Sequence, residues 1–227
     1  MRPIGNTLSN ETQRDDSKDN KMRSKILFSI LILIVLNVGC AAQLKNREVE
    51  RFKNLSVEHF RNTITIKDDG LESVVMISTE NGYSVKHGLL NVVWNDLFLR
   101  GFIDKKTGVK SYQVYVSLTH QYNQWLNPYQ VNYGKPLQTS STIKVHSDVD
   151  CSSSKYTGCT YFEHFTFKPE ISELRRVEKA KPEDYKSKGW VLRIKTQAGK
   201  DIEEFIPLPE VVAFMEAMDG YKPLPMN

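Results

Sequence analysis

Between residues 112 and 119 the chain alternates without a break: Tyr112, Val114, Val116 and Leu118 stand at even positions, with Gln113, Tyr115, Ser117 and Thr119 between them. Successive side chains of an extended strand point to opposite faces, so this period of two sets an apolar face against a core and a polar face on its reverse. A helix through the same eight residues would scatter the apolar side chains around its circumference. The segment therefore predicts a half-buried strand, and the rest of the chain has to supply its partners.

Several stretches qualify. Residues 63–67 alternate and meet the β-rich 74–77 across Asp68, Asp69 and Gly70, a turn signal that predicts a hairpin. Asn81 and Gly82 close that strand. The next β-rich run is 90–103, with Trp94, Leu97, Phe98, Leu99 and Phe102, and it loops into the alternating segment through 104–108, where Gly108 tolerates positive φ. Residues 121–134, rich in Asn, Tyr and Trp and holding Pro128, are expected as a connecting loop or edge piece. Residues 142–149 and 159–167 predict a hairpin with a Ser-rich tip, and 190–195 with 202–206 predict a last one around Gln197, Ala198, Gly199 and Lys200.

Helical spacing occurs late: Ile171, Leu174 and Val177 share one face of 171–178, and Pro209 opens a closing helix anchored by Val212, Phe214, Met215 and Met218, with Gly220 just past its end. Between these helices 181–188 reads as a charged loop. No stretch repeats at a fixed period, which disfavours a solenoid or propeller. The expected class is α+β, mostly β: an antiparallel sheet or sandwich with one or two short late helices.

The N-terminal part obeys different rules. Lys21, Met22, Arg23, Ser24 and Lys25 precede an apolar run, 26–36, in which only Ser29 is polar, and Asn37, Val38 and Gly39 lead to Cys40, Ala41 and Ala42. A basic cluster, an apolar stretch and a small-residue end form an export signal. Even counted from Ile26 to Val38, with Ser29 and Asn37 included, the stretch spans 13 residues, against the roughly 18 to 20 that a helix needs to cross the hydrocarbon core. The segment resembles the signal of bacterial membrane lipoprotein precursors. That resemblance implies that Cys40 takes a diacylglyceryl chain and becomes the first mature residue, with the membrane as partner through its lipid. In a Gram-negative envelope it also implies that Ala41 is compatible with transfer to the outer membrane, the domain facing the periplasm.

Residues 1–21 are polar, carry Glu11, Asp15, Asp16 and Asp19, and show no apolar periodicity. They are read either as lying ahead of a true start at Met22 or as a disordered tail. The expected organisation is an extension at 1–21, a signal peptide at 22–39, a lipidated Cys and tether at 40–56, and one β-rich domain at 57–227. Setting 1–39 aside removes six basic and four acidic residues, so the 31 and 27 of the whole chain become 25 and 23, a formal charge of +2. Such a balance supplies no electrostatic footprint for nucleic acid.

If Cys40 carries lipid, two of the three cysteines remain, Cys151 and Cys159, and an even pair in an oxidising compartment predicts a disulfide. His146, Cys151, Cys159 and His164 also have a spacing that would suit tetrahedral zinc. Strand geometry weighs against it, because Cys159, Tyr161, Glu163, Phe165 and Phe167 would share one face and His164 the other. No metal ligand and no cofactor are therefore expected. Glu163 beside His164 reads as a solvated pair, and His59, His87 and His120 as isolated surface or hydrogen-bonded histidines.

Nucleophile-elbow, penicillin-binding and phosphate-cradling motifs are absent, which lowers the expectation of catalysis. The strongest recognition feature is aromatic: Tyr112, Tyr115, Tyr122, Trp125, Tyr129 and Tyr133 fall within a short span. Tyr122, Trp125, Tyr129 and Tyr133 form the candidate binding surface, since Tyr and Trp offer rigid contact area with a polar handle suited to sugar or protein. The competing reading puts Tyr112 and Trp125 in the core and the others on a polar sheet face. The functional expectation is a lipid-anchored, non-catalytic binding or accessory module of the cell envelope, with an envelope protein or glycan as partner. The alternative is an envelope hydrolase or metal-dependent enzyme whose site is assembled from distant loops.

Overall fold

The alternating segment is the middle of strand β6, Lys110–His120, and its neighbour β5, Asn95–Asp104, pairs with it antiparallel over most of its length. The computed structural model describes residues 55–83, 86–87, 92–93, 95–152, 158–185 and 189–222, all within one unit, Arg51–Asn227. Cys40, the expected signal segment, most of the tether and Trp94 lie outside the described residues. The β5 to β6 turn is held by Asp104, whose Oδ1 accepts from the Thr107 amide at 2.7 Å and from the Lys106 amide at 3.1 Å. Gly108 follows at φ +70°, a left-handed conformation that favours glycine.

A short helix α1, Val57–Thr63, enters first; the Ser56 hydroxyl caps it by accepting from the His59 amide at 3.1 Å. Strands β1 (Thr65–Lys67) and β2 (Val74–Ser78) form the expected hairpin, and β2 pairs with β5. A two-residue pair, β3 (Lys86–His87) and β4 (Val92–Val93), precedes β5, so the β-rich run at 90–103 begins its long strand only at Asn95. Strands β9 (Ile143–Asp150) and β10 (Thr160–Phe167) complete a six-stranded antiparallel sheet in the order β1-β2-β5-β6-β10-β9.

A second sheet has the order β12-β11-β7-β8, built from β7 (Pro128–Tyr133), β8 (Gln138–Ser141), β11 (Gly189–Thr196) and β12 (Ile202–Pro207). Here the structure departs from the loop or edge piece expected at 121–134: β7 is an interior strand between β11 and β8. Pro128 is tolerated because it is the first residue of the strand, opposite a register shift in β11, where a missing amide costs little of the ladder.

Helix α2, Ile171–Glu178, buries Leu174 and Val177 but leaves Ile171 41% exposed, so the apolar face is shorter than its spacing suggests. A 3-10 turn at Pro182–Asp184 lies in the charged loop. Helix α3, Leu208–Gly220, includes Gly220 as its last residue and is buried almost all round through Met215, the pattern of a core helix. One core joins both sheets and the helices: Ile77, Leu99, Val114 and Val116 from the six-stranded sheet, Val131, Leu192 and Ile194 from the other, and Leu174, Phe214, Met215 and Met218 from α2 and α3. Gly101 on β5 leaves room for the Met218 thioether, which would have to shift if a Cβ were added at that position. The domain is thus α+β and mostly β, with antiparallel sheets and, among the described residues, two of three short helices late in the chain, α1 being an early helix not expected from the sequence.

Candidate binding site

The β9 to β10 hairpin ends at a disulfide. Thr160 stands opposite Asp150, which brings the next residues outward, Cys151 and Cys159, to a Cα separation of 4.2 Å, and their sulfurs are bonded. Both thiolates of the zinc-like spacing are thereby consumed. Among the described residues no group of three or more His, Cys, Asp or Glu side chains is placed to hold a metal ion.

Register also builds the cluster beside this hairpin. Tyr161 pairs with His120 and Glu163 with Leu118, so Tyr161, Glu163 and His120 fall on one face near the end of the sheet. Glu163 is 3% and His120 5% exposed, with His120 Nε2 at 3.0 Å from Glu163 Oε1. The same carboxylate accepts from the Leu126 amide at 2.6 Å and from the Asn127 amide at 2.9 Å. Burial alone would raise the Glu163 pKa, but the hydrogen bonds from His120 and the two amides outweigh it and hold the group below the ordinary carboxylate value. Glu163 is therefore neither solvated nor paired with His164, contrary to the expectation from sequence, and His120 is the hydrogen-bonded rather than the surface histidine of its two expected forms. A carboxylate on a strand face otherwise occupied by Tyr161, Phe165 and Phe167 was the available signal; its partner becomes visible only with the β6 to β10 register.

Two of the three hydrogen bonds to this buried carboxylate, those from the Leu126 and Asn127 amides, pin the loop that leaves β6. That loop carries Asn123 at φ +59° and Asn127 at φ +49°, positions where Asn tolerates the left-handed region. It presents two of the expected aromatic residues. Tyr122 is 46% exposed and stacks on His120 with centroids 5.2 Å apart, while Lys200 Nζ lies 3.4 Å from the Tyr122 centroid. On the other side of His120, Tyr161 stacks in parallel at 5.4 Å and meets the half-buried Trp125 edge to face at 5.0 Å. Lys144 Nζ is 5.8 Å from the Trp125 centroid.

The other two predicted residues do not join this cluster. Tyr129 is 46% exposed at the register shift of β7 and β11, and no ring contact among the described residues links it to Tyr122 or Trp125. Tyr133 is 2% exposed: its hydroxyl shares a hydrogen bond with Ser140 Oγ at 2.8 Å and accepts from the Glu170 amide at 3.2 Å, and its ring meets Trp190. It is a core residue and leaves the candidate surface. Of the other histidines, His59 makes a 2.7 Å hydrogen bond through Nε2 to the Gly82 carbonyl, and the side chain of His87 lies outside the described set.

A second buried polar group lies on α3. Glu210 is 0% exposed; its Oε1 accepts from Thr79 Oγ1 at 2.5 Å, and Thr79 Oγ1 in turn accepts from the Leu99 amide at 2.9 Å. Burial, reinforced by Asp96, raises the Glu210 pKa well above the ordinary value against the opposing Thr79 bond. Asp96 itself is pushed up to about 6 by burial and then by the charge of Glu80. Paired carboxyls with raised pKa values are a pattern of acid-base chemistry, but no substrate reaches a side chain without accessible surface.

Fold and geometry together define a disulfide-stapled, mostly β domain with an aromatic and cationic cluster at one end of its larger sheet. No protein-family model, curated protein or solved structure matches the chain.

Proposed function

We propose that this chain is a lipid-anchored protein of the cell envelope, held at the membrane through Cys40, whose β-rich domain binds an envelope partner without catalysis. The observation that carries the reading is the Cys151 to Cys159 disulfide. Disulfides persist where export leads and are rare in the cytosol, so the bond supports the export signal that ends at Cys40. Among the described residues no helix is long and apolar enough to cross a membrane.

The binding part of the reading rests on the exposed Tyr122 and Tyr129 and the half-buried Trp125, with Lys144 beside Trp125 and Lys200 beside Tyr122. Aromatic area next to a cation suits sugars and acidic protein surfaces alike; a glycan of the envelope is the occupant to test first. A hydrolase built on His120 and Glu163 is the rival, favoured by their 3.0 Å contact. Against it, all of the Glu163 hydrogen bonds are structural, and both side chains are buried.

Labelling cells with radioactive palmitate, followed by mass determination, tests the anchor: the native chain is expected to carry the lipid, and Cys40→Ala to release the domain to the soluble fraction. An unlabelled native chain would overturn it. Retention on purified cell-wall glycan, lost in Trp125→Ala, tests the surface. Turnover of that glycan, abolished by His120→Gln, would favour the hydrolase instead.

A further inference from the structure

The face of the six-stranded sheet opposite the core carries two histidines from adjacent strands. His164 on β10 stands directly opposite His146 on β9, and the register shifts immediately afterwards, with Phe165 opposite Lys144 and Val145 left over. Such bulges re-aim side chains on an edge strand. The two imidazole centroids lie 5.9 Å apart with planes at 41°.

That separation can be compared with a shared ion. A metal to imidazole nitrogen bond of about 2.0 to 2.1 Å plus about 1.2 Å from nitrogen to ring centre puts each centroid about 3.2 Å from the metal. Two rings on one ion then have centroids about 5.2 Å apart at a tetrahedral angle and at most about 6.4 Å apart when opposed. The observed separation of 5.9 Å falls within this range.

The surroundings select one nitrogen. His164 Nδ1 is 3.2 Å from the Tyr115 hydroxyl; in the tautomer whose Nδ1–H donates to the Tyr115 oxygen, Nε2 holds the lone pair that an ion needs. Ligating histidines bond their second ring nitrogen in this way, which fixes tautomer and ring orientation. Tyr115 is itself held, stacked on Phe98 at 4.9 Å with the Arg100 guanidinium 4.3 Å from its centroid. His146 is exposed, so an ion can enter from solvent.

We propose that His146 and His164 form a two-imidazole site for a borderline divalent transition-metal ion, completed by water, with Tyr115 as the positioning residue for His164. Imidazole suits Cu²⁺, Ni²⁺ and Zn²⁺, and Cu²⁺ binds tightest in that order. The site is independent of the lipid anchor and of the aromatic cluster.

The test uses the untagged full chain in detergent with Cys40→Ser, which removes the thiol outside the disulfide, titrated with Cu²⁺ and with Zn²⁺ against a chromophoric chelator. One equivalent is expected, with nitrogen hyperfine structure from two imidazoles in the Cu²⁺ electron paramagnetic resonance spectrum. His146→Asn and His164→Asn are each expected to abolish that equivalent, and His87→Gln to retain it. Tyr115→Phe is expected to weaken binding about 10- to 100-fold at unchanged stoichiometry. Absence of binding, or an equivalent that survives His146→Asn with the urea midpoint unchanged, overturns the site. Unchanged affinity in Tyr115→Phe overturns the role given to that residue.

Discussion

Replacing Glu163 by alanine strands three donors at once: His120 Nε2 at 3.0 Å and the amides of Leu126 and Asn127 at 2.6 and 2.9 Å. Hydrogen bonds to a charged group contribute about 1.5 to 3 kcal/mol each. They do not add fully here, because the loop that carries Leu126 and Asn127 can take up water once released. Leaving a buried donor unsatisfied costs about 1 to 3 kcal/mol, so three donors that add only in part give an expected destabilisation of about 3 to 5 kcal/mol. With a urea slope of about 2 kcal/mol/M, the unfolding midpoint falls by about 2 M. The pH dependence follows from the sign of the shift. The folded Glu163 pKa lies below its unfolded value, so its stabilisation is complete above about pH 4.3 and is lost as pH falls through the folded pKa. Glu163→Gln keeps the shape, costs less than alanine, and lacks this component of acid sensitivity. Urea titrations of the native chain and both variants between pH 3 and 7 measure each effect. An alanine variant within about 1 kcal/mol of native, or a glutamine variant with the native acid slope, would refute Glu163 as the anchor of the loop.

Three further outcomes follow from other parts of the fold. Glu210 has a raised folded pKa, so its stabilising contribution is complete below the unfolded value and is lost as pH rises through the folded one; Glu210→Gln is expected to match the native chain near pH 4 and exceed it increasingly toward pH 8, read from urea midpoints. Cys151→Ser with Cys159→Ser opens a loop of sequence separation 8, and loop-closure entropy sets the expected loss at about 2.5 kcal/mol; dithiothreitol should lower the native midpoint equally and leave the variant unmoved. Gly101→Ala is expected to cost about 1 to 3 kcal/mol by overpacking against Met218, and less in a Met218→Ala background, which a double-mutant cycle reads directly.

The sequence made the elements legible wherever one face is buried and the other wet. Alternation at 112–119 located β6, turn residues at 68–70 and 104–108 located two hairpins, and helical spacing located α2 and the core anchors of α3. Cysteine parity gave the pair that the hairpin brings together. The sequence pattern failed at 121–134, where Pro128 and the polar Asn and Gln residues masked an interior strand whose pairing is decided by β11 and β8.

Alternation also assigned Glu163 to the aromatic face of its strand, yet the meaning of that position required a partner 43 residues away in sequence. Burial of Tyr133 and exposure of Tyr129, four residues apart on one strand, were decided by the register shift and by Trp190 packing from another strand. Likewise the juxtaposition of His146 and His164 exists only because the hairpin pairs them across a bulge. Local periodicity is a property of the backbone and is written in consecutive residues; which side chains meet depends on strand register and long-range packing, and those only the assembled fold decides.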